Sequence, residues 1–331
     1  MKRKYMIIVL MAGALELTGC SQGTSNSAKN GTTGSENTII SESDIAILDT
    51  EDMFTERDRD TEYDESECTA ISLSDEETKC DSDGVKMDGQ TVTITEGGTY
   101  LLTGSLSNGS VVVDTDKTEK VQLILENVSI INEEGAGICV EQADKVFITL
   151  ADGSTNKIVS NSFTGNEDTN IDGAIFSRED LTLNGSGTLK ITSAAHGIVS
   201  KDDLVLTGGV YQIQSEKQGL SGKESVRIAD GTFTITSGTD AIHSEDTDED
   251  TKGFVYITGG VLTLAAGGDG ISSSYVVQAD GGSFDISTSS TETDTSTKGI
   301  KAQKYVILKD GTYQLATADD GIHCNGNVYV C

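Results

Sequence analysis

From about residue 137 to the last residue, small and apolar positions return in one fixed register. Counting from Gly197, apolar residues fall at Ile198, Leu204, Leu206, Tyr211 and Ile213, with Gly209 between the last two pairs. The same offsets from Gly219 give Leu220, Val226, Ile228, Gly231, Phe233 and Ile235; those from Gly270 and Gly299 repeat the pattern. Anchors Gly197, Gly219 and Ala241 are 22 residues apart, as are Gly299 and Gly321, and two 29-residue intervals are the same unit with a surface insertion. A fixed period of this size is the signature of a solenoid, in which each unit buries its apolar face only by stacking on its neighbours.

Within each unit the apolar residues stand two apart, and Asp-Gly or Gly-Gly pairs bound the segments. Alternation with period two predicts strands with one buried face. The expected fold is therefore all-β: a right-handed parallel β-helix with three short strands per coil of about 22 residues and about 4.8 Å between stacked coils. Tyr211, Phe233, Phe284 and Tyr313 would form an internal column. No stretch after the leader carries a helical period.

Composition narrows the chemistry. The 331-residue chain has no Pro, no Trp and a formal net charge of −31. Such a surface repels nucleic acid and anionic lipid, and leaves neutral glycans, divalent cations, or anionic glycans bridged by cations as partners. At the start, Lys2, Arg3 and Lys4 precede an apolar run, and Leu17-Thr18-Gly19-Cys20 has the form of a bacterial lipobox. Residues 1–19 are expected to be a lipoprotein signal peptide and Cys20 the lipidated residue, so that the lipid is the only membrane contact and the protein lies on the outside of a bacterial cell. The apolar run is too short to span a bilayer, which takes roughly 20 residues. Residues 20–85 are acidic, Ser/Thr-rich and without sustained period, and are expected to be a disordered tether. Residues 86–331 would be the β-helix. Cys68 and Cys80 could close a small disulfide loop.

Several runs then resemble a known family: QTVTITEGGTYLLTGSL over 90–106, VQLILENV over 121–128, ADKVFITL over 143–150, DGAIFSREDLTL over 172–183, HGIVSKDDL over 196–204 and DDGIH over 319–323. Together they resemble the clostridial carbohydrate-binding-domain proteins, β-helix proteins with a polysaccharide-lyase-like fold. The resemblance implies binding of plant cell-wall polysaccharide, cellulose or pectin-like chains, with bound Ca²⁺ and no established catalysis. Members continue through further coils, so a chain stopping at Cys331 within a repeat reads as truncated. A monomer is expected.

Candidate cation ligands sit at the corners. Asp240, Asp269 and Asp320 immediately precede anchor residues, Asp319 doubles the last of them, and His243 and His323 follow two residues after Ala241 and Gly321. Stacking would align them in rows of oxygen ligands that suit a hard cation. Asp before Gly is also ordinary turn chemistry, which is how Asp230, Asp280 and Asp310 are read. A second candidate, Asp168, Asn170 and Asp172 with Glu179 twelfth, satisfies the EF-hand loop pattern but lacks flanking helices. Tyr275 and Tyr305 are the candidates for stacking on sugar rings.

Two other readings compete with non-catalytic glycan binding. A calcium-dependent pectate-lyase-like enzyme would need a basic cluster facing the carboxylates, yet only Arg178 and Arg227 follow residue 59. A hydrolase would need two carboxyl groups roughly 5–9.5 Å apart; Asp202-Asp203 and Asp319-Asp320 are available, but adjacent strand residues point to opposite faces. A surface adhesin without a glycan ligand fits the leader and tether equally well.

Overall fold

A computed structural model describes residues 6–8, 48–163, 170–289 and 297–331. The chain forms two units, residues 1–9 with 54–331, and residues 10–53. Of the second, 48–53 are described, in turns and bends.

The larger unit is the expected parallel β-helix. Three ladders run along it, each made of equivalent strands from successive coils. The first extends from Thr69–Leu73 through Asp203–Leu206 to Asn327–Val330, the second from Lys120–Asn132 through Val210–Ser215 to Thr312–Ala316, and the third from Thr91–Ile94 through His196–Ser200 to Ile322–Cys324. Register follows the sequence repeat: Leu204 pairs with Val226, Tyr211 with Phe233, and Ile198 with Leu220, all in parallel. A short strand at Met6–Ile8 pairs antiparallel with the last strand of the second ladder. At the N-terminal end of the third ladder, Val85–Asp88 doubles back antiparallel on Thr91–Ile94. This hairpin covers a sheet edge that would otherwise present open backbone groups.

The inward positions fill a continuous core, in which Leu204, Val226, Ile228, Leu262 and Ile286 are all buried. The aromatic column exists as two stacked pairs. Tyr211 and Phe233 have ring centroids 4.9 Å apart, and Phe284 and Tyr313 are 4.7 Å apart. Leu262 occupies the coil between Phe233 and Phe284. The small anchor is explained by close approach: a Cβ on Gly197 would stand 2.5 Å from the carbonyl oxygen of Gly219 in the next coil.

The folded part begins earlier than residue 86. Glu56–Arg59 is a helical turn, and Thr69–Leu73 pairs in parallel with Gly98–Leu106, burying Ile71 and Leu73. Low overall hydrophobicity hid this strand, because only two apolar side chains are needed to seat it on an existing edge. Cys68 and Cys80 are free thiols, not a disulfide.

Candidate functional site

The corner row forms as the repeat requires. Positions equivalent to the anchor-preceding residue run His196, Gln218, Asp240, Asp269, Lys298 and Asp320 in consecutive coils, linked by backbone bonds such as Gly219 N–H to the Asp240 carbonyl and Ala241 N–H to the Asp269 carbonyl. Asp240 and Asp269 are therefore neighbours, while Lys298 separates Asp269 from Asp320. Their oxygens face protein donors. Asp240 accepts from the Asp269 backbone N–H at 2.7 Å and lies 2.8 Å from His243 Nδ1. Asp269 accepts from the Lys298 backbone N–H at 2.7 Å and from Lys301 Nζ at 2.8 Å. Asp320 sits 3.3 Å from His323 Nδ1, and Asp319 accepts from Lys298 Nζ at 3.1 Å.

The histidines of this row differ. Burial pushes His196 down to about 4, reinforced by Lys217 and Lys201 and opposed by Asp172. At His243, burial acts in the same direction but Asp240 and Glu245 outweigh it, so the imidazole is held above its ordinary value. The hydrogen-bonded Asp240 together with Glu245 at His243, against one carboxylate opposed by two lysines at His196, gives the two imidazoles opposite signs.

Of the EF-hand-like group, Asp168 lies outside the described residues, as does Cys20. Asn170 is a turn residue with φ of 54°, and Asp172 stands 3.5 Å from both His196 Nε2 and Lys201 Nζ. Gly173–Ser177 continues as a strand, and among the described residues no helix flanks it. Glu179 is in the turn that follows, where its carbonyl accepts from the hydroxyls of Ser177 and Ser200. Tyr275 and Tyr305 are half-buried on successive coils; Tyr305 packs on Tyr329 at 6.4 Å and Lys304 lies over Tyr275.

Among the described residues, the carboxylates that converge are Asp202, Asp203 and Glu224, with ligand atoms within 4.8 Å of one another. The opposite-face rule that separated Asp202 from Asp203 applies only inside a strand. Asp202 lies in the bend between the third and first ladders, and the strand begins at Asp203. Glu224 comes from the equivalent bend one coil on, where its N–H bonds to the Asp202 carbonyl. Burial raises Asp202 to about 7, helped by Asp180, Glu224 and Asp203. Asp203 is held by Ser225 Oγ at 2.6 Å and by Arg227, and Glu224 by Lys252. The signal that could have located the group is the repeat itself, which places Asp202 and Glu224 22 residues apart.

The outward face of the second ladder is flat, polar and exposed. Lys190, Gln212, Thr234, Thr263, Asp285 and Gln314 form one outward column in register. All six are exposed, and the outward positions beside them on these strands are mostly Thr, Gln and Ser.

The chain is thus a stacked parallel solenoid whose second ladder presents a largely hydroxyl- and amide-lined outer face. Consistent with this, residues 88–331 match the model of the carbohydrate-binding domain-containing proteins, and the chain belongs to that family. A carbohydrate-binding domain-containing protein of Acetivibrio thermocellus is 34% identical over 137 residues, which cover 40% of this chain and 48% of the relative. The chain thus spans about half the length of that curated relative. The structure of a polysaccharide lyase-like protein from C. thermocellum, a gadolinium derivative, superposes with a TM-score of 0.65 at 29% identity, covering 80% of this chain and 97% of that one.

Proposed function

We propose that this is a lipid-anchored protein of the bacterial cell surface that binds plant cell-wall polysaccharide, cellulose or pectin-like uronan, without cleaving it and with help from Ca²⁺. The observation that carries the reading is the exposed outward column of the second ladder. Gln212, Thr234 and Thr263 place an amide or hydroxyl on three consecutive coils, flanked by Lys190 on one side and by Asp285 and Gln314 on the other. A glycan can therefore make like hydrogen bonds from coil to coil along the sheet. The hydrogen-bonded sheet fixes the backbone in advance, so binding has to order only the side chains themselves. Replacing Gln212 and Thr234 together with Ala is expected to weaken retention on insoluble glucan about tenfold, at roughly 0.5–1.5 kcal/mol per lost hydrogen bond. A pull-down isotherm on the insoluble glucan reads this directly, and unchanged retention counts against the face.

The Asp202, Asp203 and Glu224 group fits a hard cation in donor type, being all oxygen. Burial raises Asp202 and its negative neighbours Asp180, Glu224 and Asp203 add to the effect, a repulsion that a bound cation would relieve in competition with Arg227 and Lys252, which already pair with Asp203 and Glu224. A carboxyl raised in the folded state destabilises progressively as pH climbs from its unfolded value near 4 to about 7. Added Ca²⁺ is therefore expected to raise the melting temperature more at pH 8 than at pH 5, and Asp202→Asn to remove that difference. With chelator, retention of the parent chain on pectin-like chains should fall to the weak binding left without a bridging cation, while retention on neutral glucan changes much less, since a chain of charge −31 otherwise repels polyuronate.

A catalytic reading is favoured only by the raised Asp202, a trait of general acids. Its would-be partners are occupied, Asp203 by Arg227 and Glu224 by Lys252. Chain-shortening assays on uronan and glucan separate the readings: product that disappears in the Asp202→Asn variant would establish an enzyme.

A further inference from the structure

Residues 54–60 lie on the outward face of the first ladder, and the surface beneath them does not have core composition. Gln122, Phe147, Thr182 and Val205 form an outward column in register, and all are buried. Beside it, Gln122 Nε2 donates to Thr149 Oγ1 at 3.0 Å, which in turn donates to Asn184 Oδ1 at 2.7 Å. Into this polar row the segment inserts one carboxylate. Asp58 is 2% exposed; its Oδ1 accepts from Lys145 Nζ at 2.8 Å and from Thr182 Oγ1 at 2.7 Å. Asn184 Nδ2 donates to the carbonyls of Asp58 and Asp60, and Thr207 Oγ1 to that of Asp58. The Arg57 guanidinium lies 4.5 Å over the Phe147 ring, and Phe54 stacks at 5.9 Å on Tyr256.

Below the segment there is thus a lysine and a hydroxyl converging on a carboxylate, amides and hydroxyls addressing neighbouring oxygens, and aromatic faces on the same sheet. Those are the groups that would recognise a sugar acid: a point charge and a hydroxyl for the carboxylate, amide and hydroxyl donors for ring oxygens, and apolar rings for the sugar faces. We propose that the outward face of the first ladder from Gln122 to Thr207 is a uronate-binding groove, and that residues 54–60 are its built-in competitor, with Asp58 in the place of the sugar carboxylate. The inference rests on the polysaccharide reading and adds a second site to it, separate from the second-ladder face. Because the competitor is tethered, it acts at high effective concentration, and the apparent affinity for a uronan is reduced by the fraction of molecules in which the groove is open.

The test uses the full chain and oligogalacturonate, with chelator present so that bridging cations do not contribute. The variant Phe54→Ala, Arg57→Ala, Asp58→Ala loses three anchors at once and is expected to bind at least about tenfold more tightly than the parent chain. Adding Lys145→Ala should abolish the gain, while retention on neutral glucan serves as the control for folding. A triple variant that binds no better than the parent, or a gain that survives Lys145→Ala, overturns the inference. An independent readout needs no variant: saturating oligogalacturonate should speed amide exchange over 54–60 in the parent chain, and a matched neutral oligosaccharide should not. Unchanged exchange overturns the inference even if the triple variant fails to fold. If the parent chain retains glucan but these effects are missing, the groove fails alone. If it retains no glycan under any condition, the polysaccharide reading fails with it.

Discussion

Phe233→Ala is expected to lower the unfolding free energy by about 3–5 kcal/mol, the usual cost of emptying an aromatic site in a closed core. Phe233 is fully buried, stacks on Tyr211 with ring planes 5° apart, and has Leu262 on its other side. In a solenoid each coil is stabilised by its two neighbours, so a void here weakens two interfaces and gives the surrounding coils little freedom to close it. Urea unfolding followed by far-ultraviolet circular dichroism measures the loss. Phe233→Leu, matching the residue found one coil on, should recover most of it. An alanine variant within 1 kcal/mol of the parent would show that the coil stack tolerates voids and that the column is not a main source of stability.

Asp58→Ala is expected to release residues 54–60 rather than unfold the β-helix. The substitution leaves Lys145, whose side chain is 16% exposed, without its anion and removes the acceptor of Thr182. Losing hydrogen bonds to a charged group costs about 2–3 kcal/mol, which corresponds to roughly 30- to 150-fold faster amide exchange in the released segment. The melting temperature of the coils should move much less. The same contact sets a pH dependence. Burial acts to raise the Asp58 carboxyl, but the bonds from Lys145 and Thr182 outweigh it and hold the group below its ordinary value. Its stabilising contribution is therefore complete above the unfolded value, about 3.9, and is lost as pH falls through the lower folded value. Exchange over 54–60 should stay slow at neutral pH, accelerate only below about pH 4 relative to the intrinsic rate, and lose this dependence in Asp58→Ala. Double substitution with Lys145→Ala should cost less than the two single effects combined, because both remove one interaction.

How much of the site could be read in advance differs from one residue to another. Asp240 and Asp269 were placed correctly in one row, since a strict repeat converts sequence offset into vertical position. Their occupation by His243, Lys298 and Lys301 was not legible, because it depends on side chains from several coils meeting at one corner. Strand alternation sets Asp202 apart from Asp203 as a carboxylate pair, but it says nothing once the chain enters a bend, and Glu224 carries no sequence mark beyond its offset from Asp202. The strand Thr69–Leu73 was lost in a segment whose composition resembles a linker.

By itself the sequence determined that this chain is a parallel β-helix, which apolar positions point inward, and which columns form, because a repeat of constant length can bury its apolar face in essentially one way. Tertiary structure alone decided which carboxylates converge and where residues 54–60 lie. Asp58 reaches Thr182 and Lys145 across 124 and 87 residues of sequence. A contact of that range depends on the finished surface of the sheet, and no local pattern encodes it.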